Sequence, residues 1–254
     1  LRERGALGSR HAIYFAFGLT TGVLAPRWWR FGIFGFSAAL VFALDMPMTI
    51  YPALAGLHLL WRFPAQCFRW AAAPALLVLA LHFGVMQTVT GSLLPIQTRK
   101  ELYLYESSYW RNPMGLDAFN EPRLVYLFHM TLGRFGSFLL FPVLLLAPLG
   151  LCCASPHRKY LLGGLAGFLV LIAYYVFQTN NYGGSAYGFR WHLGSMPVLL
   201  LVAAPFAAKL RHPAAWCAAL LLLAVSLFSA YECFQAPWGD QHEWTCRYLF
   251  GRWY

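Results

Sequence analysis

The sequence predicts an all-α polytopic membrane helix bundle of about seven or eight membrane segments, two of them forming a broken helical hairpin. Three observations predict it. First, 59% of the 254 residues are hydrophobic and only 11% are charged, with a mean hydropathy of +0.53. Soluble domains carry about a quarter charged residues, so this chain cannot cover itself with a solvated surface. Second, residues 70–98, 135–156, 160–189, 191–208 and 212–231 contain no Asp, Glu, Lys or Arg. About 20 apolar residues at 1.5 Å rise cross the ~30 Å hydrocarbon core, and these runs lack the alternation of a strand barrel. Third, the basic residues cluster between apolar runs: Arg27 and Arg30, Arg62 and Arg69, Arg158 and Lys159, Lys209 and Arg211. That is the pattern of cytoplasmic loops. The formal charge of +10 therefore reads as membrane topology and not as a nucleic-acid surface.

Taken in order, residues 11–26 form a short apolar segment and residues 31–61 a long one, interrupted at Asp45-Met46-Pro47. As one straight helix the second would be about 46 Å long, well beyond the core. Pro47 removes a backbone donor and disfavours helix at the residue before it. Both ends of the segment are basic, so two short helices meeting near Asp45 are expected, with both outer ends cytoplasmic. Residues 70–90, 137–153, 160–177, 193–208 and 213–230 then read as spans of one membrane domain, residues 1–254. Residues 91–134 and 178–192 are outer loops and 231–254 an outer tail. With this topology four cytoplasmic loops hold eight Lys or Arg and no acid, and all nine carboxylates fall on the other face. The chain opens Leu1-Arg2-Glu3-Arg4, as expected of a processed product or of a chain lacking an upstream half.

Chemistry is expected in the outer segments. The loop at 91–134 is too long for a simple connector and contains Trp110, Asp117, Glu121 and His129. Its functional reading is a cleft lined by Asp117, Glu121 and His129; an interfacial loop packed by aromatics and Arg–carboxylate pairs would use the same residues. The loop at 178–192 contains Asn181, Tyr182, Gly183, Gly184, Tyr187 and Arg190. Its glycines permit close backbone approach to a ligand, and the planar fork of Arg190 suits phosphate; a snorkelling arginine in a tight loop is the alternative. Asp45, an ionisable group inside an apolar segment, reads as functional or as a helix cap. His58 and His82 differ in depth by ~15 Å on their helices, so they cannot jointly clasp one haem. Cys152 and Cys153, Cys67 and Cys217 read as packing residues, while Cys233 and Cys246 are expected to lie close enough to bridge in the outer tail. Neither CxxC nor HExxH occurs, so no metal or other cofactor is expected.

A resemblance rests on Phe36-Ser37-Ala38-Ala39-Leu40 leading into Asp45-Met46-Pro47, and on Tyr109-Trp110-Arg111-Asn112-Pro113-Met114-Gly115-Leu116-Asp117. It continues with Glu121-Pro122, Tyr126-Leu127-Phe128-His129, Gly133 and Phe138. It ends with Asn181-Tyr182-Gly183-Gly184 and Gly188-Phe189-Arg190-Trp191. In this order the chain resembles the membrane half of polyprenyl-phosphate-sugar-dependent glycosyltransferases of the GT-C superfamily, the protein-mannosyltransferase-like group, and is most similar to bacterial members. The resemblance implies a multi-pass protein of a bacterial inner membrane that meets membrane lipids and a polyprenyl-phosphate-linked sugar at the outer face. It implies phosphate held by Arg190 and a sugar or acceptor site shaped by Asp117, Glu121 and His129. The acidic first outer loop of that superfamily has no counterpart in residues 1–10, so the chain is expected to be the C-terminal portion of such a fold. The other expectation is a non-catalytic accessory subunit of a larger membrane complex. A transporter is disfavoured, because no internal repeat is present and no intramembrane charge pair accompanies Asp45.

The topology predicts that the 91–134 loop and the 231–254 tail are both non-cytoplasmic. Cysteine-accessibility labelling in intact cells should reach both, and labelling of residues 180–184 only after permeabilisation would overturn the topology.

Overall fold

The computed structural model describes residues 25–94, 99, 101, 104–108, 111–112, 121–179, 181–183, 186–237 and 243–250. Every regular element among them is helical. The expected segment at 11–26 lies outside the described residues. The chain divides into two compact units at residues 113 and 114.

In the first unit, α1 (Trp28–Leu44) ends where Asp45 takes φ −149° and leaves the helical region. A 3₁₀ turn, Met46–Thr49, follows, with Pro47 in its first positions, where no backbone donor is needed. Main-chain bonds bridge the break: Asp45 N–H donates to Val41 O at 2.8 Å, and Asp45 O accepts from Met48 N–H at 3.1 Å. The Asp45 carboxylate makes no capping bond to either helix end, so the cap reading of this residue does not hold. Next come α2 (Ile50–Arg62) and the long α3 (Pro64–Thr90), which carries a π-turn at Cys67–Ala71. Phe31 near the start of α1 meets Phe63, just past the end of α2, with ring centroids 5.8 Å apart. Phe31, Phe34, Leu59 and Ala71 form one buried cluster. The α1–α3 contact is tighter than any side chain permits, because a Cβ on Gly35 would lie 2.1 Å from Ala71 O. Gly91 ends α3 at φ +67°, with its N–H on Gln87 O at 2.9 Å; only glycine adopts that left-handed closure without cost.

The second unit comprises α4 (Arg123–Thr131), a single turn at Ser137–Leu140, α5 (Pro142–Cys152), α6 (Arg158–Gln178), α7 (Met196–Ala207) and α8 (Pro213–Gln235). A 3₁₀ turn, Arg190–Ser195, leads into α7, and a π-turn, Cys246–Phe250, lies in the tail. Pro142 breaks what the sequence presents as one span at 137–153. The Val143 N–H freed there donates to Ser226 Oγ of α8 at 3.0 Å, as a donor withdrawn from water must find a partner. Glycines again set helix spacing: a Cβ on Gly150 of α5 would lie 1.8 Å from Val202 O of α7, and one on Gly164 of α6 would lie 2.7 Å from Val198. Small residues allow such approach where lipid removes the hydrophobic drive for association.

Three helices, α3, α6 and α8, are long and apolar enough to cross a membrane, while α1 and α5 are apolar but shorter. The outer surface of α3 is fully open: Leu76, Leu77, Leu81, Val85 and Val89 are 60–75% exposed. On this evidence the chain is a helical membrane protein.

Replacing Gly35 with Ala should force α1 off α3 and destabilise the protein by about 1–3 kcal/mol. Gly84→Ala, whose Cβ meets nothing within 4 Å, should leave stability level or raise it by up to about 1 kcal/mol. Thermal unfolding of the detergent-solubilised variants checks this, and equal effects at the two positions would contradict it.

Candidate functional site

Polar side chains concentrate at one end of the second unit, where α4, the turn after it, residues 179–190 and the tail meet. The turn after α4 sets the geometry. Leu132 and Gly133 N–H both close onto Phe128 O, at 2.8 and 2.7 Å. A Cβ on Gly133 would lie 2.6 Å from His129 Nδ1, and one on Gly136 would lie 2.7 Å from Gly133 O. The reversal therefore depends on both glycines, and it turns Arg134 wholly inward. Arg134 N–H donates to His129 Nδ1 at 3.3 Å, which fixes the neutral ring with its proton on Nε2. Burial holds the His129 pKa below its usual value; Glu121 pulls it up and Arg134 adds to the depression.

The 179–190 segment is tied to α4 side chain by side chain. Arg123 donates to Thr179 O at 2.6 Å. The Tyr126 hydroxyl donates to Asn181 O at 2.8 Å and lies 2.7 Å from Thr179 Oγ1. Tyr182 donates to Glu121 Oε2 at 2.6 Å, stacks on Phe135 at 4.6 Å and meets Tyr126 at 4.8 Å between ring centroids. Burial pushes the Tyr126 pKa up to about 12. Burial, reinforced by Glu121, pushes Tyr182 up as well. Both hydroxyls are thus fixed donors at neutral pH. Asn181 Oδ1 accepts from Gly183 N–H at 3.0 Å. Gly183 has φ +90°, and a Cβ there would lie 3.2 Å from Cγ and Nε of Arg190. Arg190 therefore lies across the bare face of Gly183.

The tail locks this arrangement from the other side. Glu243 is completely buried, and its carboxylate accepts from Gly188 N–H and, at 3.6 Å, from Cys246 Sγ. Cys246 Sγ in turn accepts from Arg134 Nε at 3.0 Å, and Thr245 donates to Arg134 O at 2.9 Å. Glu232, in the last turn of α8, accepts from Tyr187 Oη at 2.7 Å and Trp244 N–H at 3.2 Å, and pairs with Arg247. Phe189 N–H donates to Phe135 O at 2.9 Å, joining the two loops directly. The expected Cys233–Cys246 bridge is not formed. Neither cysteine is in a disulfide; the Cys246 sulfur instead faces Arg134 and Glu243.

Of the residues singled out in the sequence, Glu121, His129, Asn181, Tyr182, Gly183 and Arg190 come together here, and Tyr187 adjoins them on the Glu232 side. Asp45 belongs to the first unit, at its helix break. Trp110, Asp117 and Gly184 lie outside the described residues. Sequence reading missed Arg134, Glu232 and Glu243, which were counted only as loop and tail charges. A signal for Arg134 was present in its flanking glycines, Gly133 and Gly136. Ser137 and His192 were also missed: Ser137 Oγ lies 2.8 Å from His192 Nδ1. Burial among Phe168, Tyr175 and Phe189 drives the His192 pKa from 6.5 to about 3. With both residues at most 2% exposed, this pair packs the core and cannot act as a nucleophile and base on an outside substrate. Among the described residues no group of three His, Cys, Asp or Glu is arranged to hold a metal ion. Comparison with protein-family models, with characterised proteins and with solved structures finds no match to this chain.

Glu243→Ala should leave the buried Gly188 N–H without its acceptor and cost at least about 1–3 kcal/mol. Glu243→Gln keeps a carbonyl oxygen for that N–H and should cost less. The check is the thermal midpoint of each purified variant, and a wild-type midpoint for Glu243→Ala would refute the assignment.

Proposed function

We propose that the chain is the membrane portion of a GT-C-like glycosyltransferase that binds a polyprenyl phosphate, or its sugar adduct, at the outer face of a bacterial inner membrane. One observation carries this reading. The motifs on which the resemblance rests are separated by some fifty residues in sequence, yet Glu121, Tyr126, His129 and Gly133 share one hydrogen-bonded and stacked layer with Asn181, Tyr182, Gly183 and Arg190. In this reading Arg190 holds the phosphate and offsets charge on the leaving group. A carboxylate, either Glu121 of the cluster or Asp117, takes the proton of the acceptor hydroxyl as the new glycosidic bond forms. Tyr182 orients Glu121 for that task.

The finer topology belongs to the same proposal: seven or eight membrane segments, with α1 and α2 as the broken hairpin. The Phe31–Phe63 contact supports it, as does the approach of Phe34 to Gly56, 3.6 Å from where a Cβ would sit. The first brings the far ends of the two helices together, and the second brings their middles together. A second reading, an accessory subunit of a larger membrane complex, is favoured by Glu232 and Glu243, whose hydrogen bonds are internal and bind loop to tail.

The test is binding of polyprenyl phosphate to the purified full chain. Arg190→Ala should weaken it at least tenfold. Arg190→Lys, which keeps the charge and loses the bidentate fork, should fall between Arg190→Ala and wild type. If wild type and both variants bind at background while Arg190→Ala lowers the melting point, the accessory reading stands and the enzyme reading falls.

A further inference from the structure

The first unit gathers its positive charge at one end. Arg27 and Arg30 open α1, Arg62 closes α2, and Arg69 sits in the first turns of α3. Ring contacts bring these sequence-distant clusters together. Trp28 lies 5.4 Å from Trp70, and Phe31 lies 5.8 Å from Phe63, between centroids. The guanidinium groups rest on the same rings or their neighbours: Arg30 is 5.0 Å from Trp29, Arg62 is 5.3 Å from Phe63 and Arg69 is 5.8 Å from Trp70. Between residues 25 and 69 the one acid is Asp45, at the opposite end of α1, ~25 Å away by helix rise. Within this stretch the four arginines at this end outnumber the acids, of which Asp45 alone is present.

The aromatics say what surrounds these charges. Trp28, Trp61 and Phe68 are 61%, 81% and 70% exposed, which water penalises and a headgroup layer favours. Leu76, the first of the open aliphatic leucines and valines on α3, is seven residues beyond Arg69, ~10 Å along the axis. The arginines thus sit at headgroup depth beside a hydrocarbon-facing helix. That placement is wrong for a nucleic acid and right for lipid phosphate, to which guanidinium binds through two parallel hydrogen bonds. We propose that this end of the first unit is a binding surface for anionic phospholipid headgroups. The proposal stands apart from the glycosyltransferase reading, whose site lies in the other unit.

Native mass spectrometry of the full chain in detergent, titrated with phosphatidylglycerol or phosphatidylcholine of matched acyl chains, tests it. Wild type should prefer the anionic lipid at least tenfold. Arg62→Gln/Arg69→Gln should lose about half of that preference on a logarithmic scale, roughly threefold of a tenfold preference. The quadruple variant that adds Arg27→Gln and Arg30→Gln should bind both lipids alike. A control that removes equal charge elsewhere, Arg158→Gln/Lys159→Gln/Lys209→Gln/Arg211→Gln, should keep the wild-type preference. Equal binding of the two lipids by wild type needs no variant to fold and would overturn the proposal. So would an equal loss in the control, which would reduce the effect to net charge. Displacement of the lipid by millimolar inorganic phosphate would likewise overturn it, since the site would then read phosphate alone.

Discussion

A carboxylate cut off from water must be met by hydrogen-bond partners, or its burial is costly. Glu243 meets that condition by drawing three parts of the second unit around itself. It takes the Gly188 N–H from the loop and the Cys246 thiol from its own tail, and through that sulfur it faces Arg134 from the turn after α4. The loop can turn toward Glu243 because Gly188 has φ +64°. Arg134 can turn inward because Gly133 and Gly136 have no side chains. The loop carrying Tyr182, Gly183 and Arg190 is held at Gly188 by this junction and at Thr179 and Asn181 by Arg123 and Tyr126 of α4.

The helices answer to a different constraint. In lipid, apolar side chains gain nothing by leaving their surroundings for one another, so association relies on close packing and satisfied polar groups. Gly35 against Ala71 and Gly150 against Val202 bring backbones closer than side chains allow. Ser226 supplies the acceptor that the Pro142 break removes from Val143. The same logic divides the molecule, with buried charge at the loop end of the second unit and glycine contacts between its helices.

Much of the helical plan was legible in the sequence because length and absence of charge are strong local signals. The uncharged runs give α3, α6 and α8, and Pro47 gives the break after α1. The run at 137–153 misled because composition does not reveal that Phe141 leaves the helical region ahead of Pro142. Of the candidate site, Glu121, Tyr182, Gly183 and Arg190 were legible through residue type and glycine content. Glu232 and Glu243 were not, since a carboxylate beside tryptophans in a polar tail looks the same whether it is solvated or buried. Only the fold shows that their partners lie 45 and 55 residues earlier, at Tyr187 and Gly188. The Cys233–Cys246 pairing failed for a related reason: spacing permitted it, but the Cys246 sulfur is held by Arg134 and Glu243.

The open surface of α3 bears on the order in which the molecule is assembled. Beyond the contact of Ala71 with Gly35, Val78 is the one buried residue between Ala72 and Thr90, so most of this helix is already in its final surroundings once it enters lipid. The twelve-residue α7, by contrast, is ~18 Å long by helix rise, too short to rest in the bilayer alone. It requires α5 and α6 to be waiting, with Gly150 and Gly164 ready to receive Val202 and Val198. During synthesis the chain therefore carries an early helix that leans little on its neighbours and a late one that leans on two. Surveillance of newly made protein would meet its errors at α7.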